Sequence, residues 1–183
     1  LKKILNGRFS QSESTRLNYS RGEDTYDPIL SKAVVFPKTN EEVSKILKLC
    51  NEHKVPVVPF GTGTSLEGNV VGNDKGITIS LEKMNKVLSV NTQDFDCRVQ
   101  ACVTREQLND YLREDGVFFP IDPGANAAIG GMASTSASGT MAVKYGTMKT
   151  VITGLTVVLP NGDIIKTGSR TKKTSAGYNL TNL

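Results

Sequence analysis

Tryptophan is absent from the 183 residues, and only six phenylalanines and five tyrosines are present. The net charge of +4 comes from 22 basic and 18 acidic residues that are spread along the chain. Proteins that bind nucleic acid normally concentrate basic and aromatic residues on one surface. The composition therefore argues against nucleic acid as a partner.

Histidine occurs once, at His53, and the three cysteines form no C-x-x-C pair. A structural zinc site needs a cluster of such side chains, and a Ser/His/Asp triad would depend on His53 alone. We expect no metal, and we expect Cys50, Cys97 and Cys102 to be reduced, mostly buried thiols. No side chain is a convincing catalyst, so the catalytic residues are unknown and the composition points to a bound cofactor.

Long apolar runs are also missing. No stretch approaches the roughly 20 apolar residues of a transmembrane helix, so no transmembrane segment is expected. A signal-peptide pattern is lacking too. The chain starts at Leu1 without methionine and stops at Leu183 without a polar tail, so we expect a piece of a longer protein.

The first half alternates strand and helix patterns. Residues 33–36 form a short apolar run, and Thr39 begins a capping box that precedes an amphipathic helix to about His53. Residues 55–59 and 76–81 follow as further strands. Strand, helix and strand in this order predict a βαβ unit with parallel strands.

The second half is typical of an antiparallel sheet with helices. Residues 87–90 and 98–103 alternate as strands, and residues 152–159 and 163–167 flank the turn sequence PNG. Between residues 103 and 152, a second capping box at Thr104 starts a helix that ends at Gly116. Val103 and Leu108 are placed as a hydrophobic staple, and the apolar face of the helix continues through Leu108, Tyr111 and Leu112.

We predict an α+β fold of two lobes. The boundaries are an N-terminal segment at 1–29, a small parallel α/β lobe at 30–85, and a second lobe at 86–183 with an antiparallel sheet flanked by helices.

Residues 56–68, PVVPFGTGTSLEG, follow a predicted strand with three glycines and several hydroxyls. A Walker A loop would need a lysine after its last glycine, and a Rossmann fingerprint would need glycine where Leu66 stands. A backbone nest that binds a pyrophosphate without lysine remains open, as does an ordinary surface loop.

Residues 120–146, PIDPGANAAIGGMASTSASGTMAVKYG, form a second segment rich in glycine and small residues. Such residues let backbone lie close to a partner. A flexible linker is the alternative, but Ile129, Met132 and Val143 supply apolar anchors that linkers usually lack. A helix that starts near Gly130 would point free N–H groups outward and form an anion site.

Together, PFGTGTSLEG (59–68) and PGANAAIGGMASTSASGTMAVKYGTMKTVITGLTVVLPNGDII (123–165) resemble the FAD-binding domain of the vanillyl-alcohol oxidase, or p-cresol methylhydroxylase, flavoprotein superfamily. The most similar branch contains the FAD-linked D-lactate dehydrogenases and the glycolate oxidase D-subunits, whose sequences also resemble TSAGYNLTNL at the end of this chain. The resemblance covers residues 20–183.

The resemblance implies that FAD lies between the two lobes. By position, the first segment would line the pyrophosphate, and the second would approach the flavin or its linker and the adenine end. The implied cofactor-binding residues are Pro59, Gly61, Thr62, Gly63, Thr64, Ser65, Pro123, Gly124, Gly130, Gly131, Thr135, Ser138, Gly139, Tyr145, Gly146, Val151 and Ile152.

Two departures from the family pattern matter. Some members attach flavin covalently through a histidine where this chain has Thr64, so non-covalent FAD is expected. Relatives often carry asparagine where this chain has Ser136, whose hydroxyl can still form a hydrogen bond.

The resemblance implies an enzyme that oxidises a D-2-hydroxy acid, D-lactate or glycolate, by hydride transfer to flavin N5 and then reduces cytochrome c or a quinone. A separate substrate domain would bind the acid, so this chain alone is expected to be inactive. The family is found in bacterial cytoplasm, at the bacterial inner membrane and in mitochondria. The alternatives are the same domain acting on an alcohol, a sugar acid or a sugar nucleotide, or a nucleotide-binding module without a redox role.

Overall fold

The structure is a computed structural model that describes residues 1–182, apart from the side chain of Lys3. Short helices and strands alternate along the chain, with a single 3₁₀ turn at Arg113–Asp115 among the described residues. The helices are α1 (Lys2–Leu5), α2 (Glu13–Asn18), α3 (Asn40–Glu52), α4 (Arg105–Leu112), α5 (Ile129–Ser134), α6 (Ala142–Tyr145) and α7 (Met148–Val151). The strands are β1 (Phe9–Ser10), β2 (Ala33–Val35), β3 (Val57–Phe60), β4 (Ile77–Ser80), β5 (Val87–Asn91), β6 (Asp96–Val99), β7 (Gly154–Val158) and β8 (Ile164–Gly168).

The chain divides into two compact units. The first comprises Leu1–Met84 together with Val158–Ile164, the tip of the β7–β8 hairpin. The second comprises Asn85–Val157 and the chain from Ile165 onward. The first unit takes in residues 1–29, which the sequence pattern set apart as a separate segment. The mixture of parallel and antiparallel sheets with helices confirms the predicted α+β class.

A four-stranded sheet in the order β1-β2-β4-β3 organises the first unit. Strands β2, β4 and β3 run parallel, but β4 lies between β2 and β3, so the predicted βαβ strands are not direct neighbours. Every residue of β4 is buried, as expected for a central parallel strand. Pro59 has no N–H to donate, and its strand accordingly lies at the sheet edge.

Helix α3 begins where the capping box predicts, because the Thr39 side chain accepts a hydrogen bond from Glu42 N. The return half of the box is absent: the Glu42 carboxylate accepts from Lys38 N at 2.7 Å and pairs with Arg8. These bonds hold the pKa of Glu42 below its usual value, and the bond from Arg8 has the largest effect. A partner 34 residues away has therefore replaced the local capping contact.

Apolar side chains of α1, α3 and the sheet form the core of the first unit. Each fully buried aliphatic side chain stabilises the fold by about 1.5–3 kcal/mol. The buried members are Leu5, Ala33, Val35, Ile46, Cys50, Ile77 and Ile79.

The second unit contains two separate two-stranded antiparallel sheets, β5–β6 and β7–β8, where the sequence pattern predicted one antiparallel sheet. The predicted strand at 98–103 was displaced, since β6 is Asp96–Val99. Thr104 caps α4 through Gln107 N, and Val103 packs with Leu108 as the staple predicts.

One further expectation of the second unit was wrong, since Tyr111 lies outside the apolar face of α4, with 59% of its surface exposed. The expectation of free, mostly buried thiols is confirmed, because Cys50 and Cys102 are buried and only Cys97 of the three is exposed. Among residues 1–182, no helix is long and apolar enough to cross a membrane.

The β7–β8 hairpin turns at Pro160-Asn161-Gly162, and the turn packs on α3. Ser44 Oγ donates a hydrogen bond to Gly162 O, and Gly162 is buried with a φ of +86°. A Cβ atom on Gly162 would lie 2.7 Å from Ser44 O and 2.3 Å from Lys48 Cγ. This turn can therefore accommodate only glycine without rearrangement.

Replacing Gly162 with alanine is expected to lower the free energy of unfolding by about 3 kcal/mol, from the left-handed backbone and from overpacking. Gly7→Ala is the matched control, since its φ is +82° and nothing lies within 4 Å of its Cβ position. The control should cost only about 1 kcal/mol. Urea denaturation of both variants measures the difference, and equal losses would contradict the packing of the turn on α3.

Candidate functional site

The first glycine-rich segment leaves the end of β3 and folds over a buried aromatic ring. Gly63 has a φ of +74°, and a Cβ atom there would lie 2.8 Å from Phe60 Cζ. The hydroxyls of Thr62 and Thr64 are 3.3 Å apart, and Ser65 Oγ donates to Asn69 Oδ1 at 2.6 Å. The loop thus has a fixed backbone bend, with small residues and hydroxyl groups at its surface.

The N-terminal segment supports this loop, which the sequence pattern did not indicate. Glu23 N donates to Ser65 O at 3.1 Å, and a Cβ atom on Gly22 would lie 2.5 Å from the same oxygen. The Tyr26 ring covers Gly68, at 2.8 Å from its Cβ position. The shape of the loop therefore depends on residues about 40 positions earlier in the chain.

Tyr19 extends this support beneath the loop. Its ring meets Phe60 edge to face at 5.0 Å, and its hydroxyl donates to Glu82. Burial raises the pKa of Glu82, but the bonds from Tyr19 and Lys83 outweigh burial and leave that pKa below its usual value. An ionised carboxylate thus anchors the tyrosine on which Phe60 rests.

In the second segment, α5 starts at Ile129, close to the predicted helix start, but its first N–H groups are not free. Ile129 N donates to Val103 O, and Gly130 N donates to Ala101 O, both at 2.8 Å. The expected outward-facing anion site at this helix start was therefore wrong for these two groups. Gly130 also packs tightly, since a Cβ atom there would lie 2.8 Å from Ala101 Cβ.

Two other glycines of the segment face open space. Gly124 and Gly131 are exposed, and nothing lies within 4 Å of either Cβ position. Neither has a packing reason within the described residues to be glycine. Thr135 and Ser138 are exposed beside them in sequence, and Thr135 Oγ1 donates to Gly131 O at 3.1 Å.

The carboxylate of Asp122 joins the two ends of this segment, although the sequence pattern did not select it. Oδ1 accepts from Met141 N at 3.1 Å, and Oδ2 accepts from the Thr140 hydroxyl. These two hydrogen bonds hold the pKa of Asp122 below its usual value, and the bond from Thr140 has the larger effect. The run Asp122-Pro123-Gly124 is a sequence signal of a turn, but it does not indicate the bonds to Thr140 and Met141.

The remaining predicted residues lie at the end of the segment. The Tyr145 ring packs edge to face against Phe118 at 5.6 Å. Val151 and Ile152, expected near the adenine, are half-buried against the core of Ile121, Met132 and Met148. The structure thus gathers Pro59 to Ser65 in the first unit and the residues from Pro123 to Ile152 in the second.

A protein-family model described as FAD binding domain matches residues 31–168. The chain belongs to this family. The predicted resemblance to the vanillyl-alcohol oxidase superfamily is thereby confirmed, and FAD is the cofactor of the domain.

Similar proteins include two mitochondrial enzymes. The D-lactate dehydrogenase (cytochrome) of Arabidopsis thaliana is 44% identical over all of this chain and 33% of its own length. The probable D-lactate dehydrogenase of Danio rerio is 48% identical over 95% of this chain and 36% of its own length. The chain therefore spans about a third of the length of these relatives.

Among solved structures, an alkyldihydroxyacetonephosphate synthase superimposes with a TM-score of 0.83 at 22% identity. It covers 97% of this chain, which covers 34% of that protein. This likeness concerns the fold.

The residues present fit FAD. Gly124 and Gly131 leave room for a ligand atom close to the backbone, and hydroxyls lie in both segments. Arg105, the first residue of α4, has a buried Nε without a hydrogen-bond partner among the described residues, so a water molecule or a ligand atom can accept from it. Those residues contain no cluster of His, Cys, Asp or Glu that could hold a metal ion.

Proposed function

We propose that the chain is the FAD-binding part of a flavin-dependent dehydrogenase that oxidises a D-2-hydroxy acid, D-lactate or glycolate. The observation that carries the proposal is 44–48% identity, over nearly the whole chain, to proteins named D-lactate dehydrogenases. Because this chain spans about a third of those proteins, the residues that bind the acid and take its hydroxyl proton are assigned to a further, substrate-binding domain.

Within this chain, the proposed role is to bind and orient the cofactor. Gly61 to Ser65 would hold the pyrophosphate through backbone N–H groups, without the charge of a lysine. The residues from Pro123 to Gly146 would contact the flavin and its linker, and Val151 and Ile152 would lie near the adenine. When bound, FAD supplies the hydride acceptor at flavin N5.

The proposal extends to an electron acceptor, cytochrome c or a quinone. It is supported by the word cytochrome in the name of the Arabidopsis relative. That relative and the Danio rerio protein are also named mitochondrial, and we propose the same location if this chain is eukaryotic.

A natively purified protein is expected to be yellow and to carry FAD without a covalent bond, since Thr64 replaces the attaching histidine of other members. Acid precipitation should release all the flavin into the supernatant, where its absorbance is measured. Flavin that stays with the pellet would contradict non-covalent binding. A colourless protein that binds no added FAD would contradict the proposal and leave a nucleotide-binding module without a redox role.

The substrate is tested on the longer protein that contains this chain. D-lactate should bleach the flavin absorbance faster than glycolate does, whereas L-lactate should leave it unchanged. Bleaching by L-lactate alone, or by none of these acids, would contradict the proposed substrate class while leaving FAD binding intact.

A further inference from the structure

We propose that Asp122 is a positioning residue for FAD, which acts by closing residues 123–139 into a loop of fixed shape. The inference rests on the proposed function, because it assigns a new residue to that same site. Asp122 is not itself placed in contact with the cofactor. It acts through the backbone that it holds.

Asp122 binds the far end of the segment through both oxygens of its carboxylate. Met141 N donates to Oδ1 at 3.1 Å and the Thr140 hydroxyl donates to Oδ2, across sequence separations of 19 and 18 residues. Hydrogen bonds to an ionised carboxylate are roughly twice as strong as those between neutral groups. One side chain therefore closes a long loop at two points.

The backbone next to these bonds is packed as closely as its residue types permit. A Cβ atom on Gly139 would lie 2.2 Å from both Asp122 O and Asp122 Oδ1. Ordinary contacts between such atoms are about 3.5–4.0 Å. Gly139, predicted as a cofactor contact, therefore has a second reason to be glycine, which is its approach to Asp122.

The closed loop contains the open positions of the proposed site. Gly124, Gly131, Thr135 and Ser138 all lie between the two ends and are exposed. Met132 is buried and anchors the middle of this loop, whereas the bonds to Asp122 join its two ends. A loop that is already ordered loses less conformational entropy when the ligand binds, so the ligand binds more tightly. Loss of the carboxylate should therefore weaken FAD binding without removing any group that touches FAD.

The test is FAD affinity, measured by titration of the FAD-free protein, together with the visible circular dichroism of bound FAD. Asp122→Ala is expected to weaken FAD binding at least about tenfold, because it removes one to two charge-assisted hydrogen bonds that order the loop. It should also change the circular dichroism of the remaining bound flavin, because the flavin's surroundings lose their fixed geometry. Asp122→Asn keeps one acceptor oxygen and should restore part of the affinity.

A milder variant protects the test against misfolding. Thr140→Val removes one of the two bonds, and the double variant Asp122→Ala/Thr140→Val should bind FAD no more weakly than Asp122→Ala alone. Additive losses would overturn the inference, since the two residues would then act separately. Asp110→Ala removes an exposed carboxylate of α4 in the same unit and should leave FAD affinity unchanged.

The remaining outcomes distinguish the inference from the function on which it rests. If wild-type protein binds no FAD, the proposed function fails. If the wild-type protein and Asp122→Ala bind FAD equally well and the variant differs only in a lower melting temperature, Asp122 supports the fold alone. That result overturns the inference.

Discussion

Gly63→Glu is expected to abolish FAD retention, with FAD affinity falling by more than about 100-fold. The variant places a carboxylate in the loop proposed to hold the doubly charged pyrophosphate, where no lysine is present to offset it. It also places a side chain where the backbone has a φ of +74° and where a Cβ atom would lie 2.8 Å from the Phe60 ring. Equilibrium dialysis against FAD measures the loss.

Charge and loop strain both contribute to this result, and alanine separates them. Gly63→Ala has the same backbone strain and the same contact with Phe60 but adds no charge. We expect it to weaken FAD binding by only about tenfold, since a left-handed non-glycine residue costs about 1–2 kcal/mol. The difference between the two variants is the part due to the negative charge.

Gly68 provides a matched control within the same loop. Its φ is +71°, and a Cβ atom there would also lie 2.8 Å from an aromatic ring, that of Tyr26. Gly68→Glu should therefore cost similar stability but leave FAD bound, because Gly68 lies outside the proposed pyrophosphate residues. Equal loss of FAD in both glutamate variants would contradict the assignment of residues 61–65.

The elements that sequence predicted well are those fixed by neighbouring residues. Thr39 and Thr104 each cap a helix by accepting a hydrogen bond from the N–H group three residues later in the chain. The hairpin at Pro160-Asn161-Gly162 depends on turn chemistry within a few positions. The run at 76–81 likewise predicted β4, because its apolar residues alternate with Thr78 and Ser80 at the two-residue period of a strand.

The features that sequence missed depend on residues far apart in the chain. Arg8 takes the Glu42 carboxylate from its capping role, and β4 inserts between β2 and β3. The contacts of Glu23 with Ser65 and of Asp122 with Met141 are likewise invisible to periodicity and motif spacing. Such contacts arise only after the chain has folded.

The glycines of the candidate site show the same limit. In the sequence, Gly130 and Gly131 are equivalent neighbours in one motif. In the structure, Gly130 packs against Ala101, whereas the Cβ position of Gly131 is open. Packing within the fold thus requires glycine at position 130. At position 131, glycine is required only if a ligand or another group from outside the described residues lies against it.

Gly131→Glu is accordingly expected to lower FAD affinity by more than about 100-fold while leaving the FAD-free protein at least as stable as the wild type. The new side chain extends into space that is open in the chain itself and that the cofactor is proposed to occupy. Glycine is a poor residue inside a helix, so its replacement in α5 should stabilise the FAD-free protein by about 0.5 kcal/mol. FAD titration and urea denaturation of the FAD-free protein measure the two effects, which have opposite signs.

Gly130→Ala should behave in the opposite way, because its Cβ atom would lie 2.8 Å from Ala101 Cβ and 2.9 Å from Ala101 O. Overpacking of this kind costs about 1–3 kcal/mol and should appear as lost stability of the FAD-free protein. Tyr111→Glu places a carboxylate on the exposed side of α4 and controls for added charge in the same unit. If Gly131→Glu binds FAD as tightly as Tyr111→Glu does, Gly131 lies outside the FAD site. If instead Gly131→Glu loses FAD and stability together, the loss of affinity reflects unfolding, and the prediction that the new side chain extends into open space is wrong.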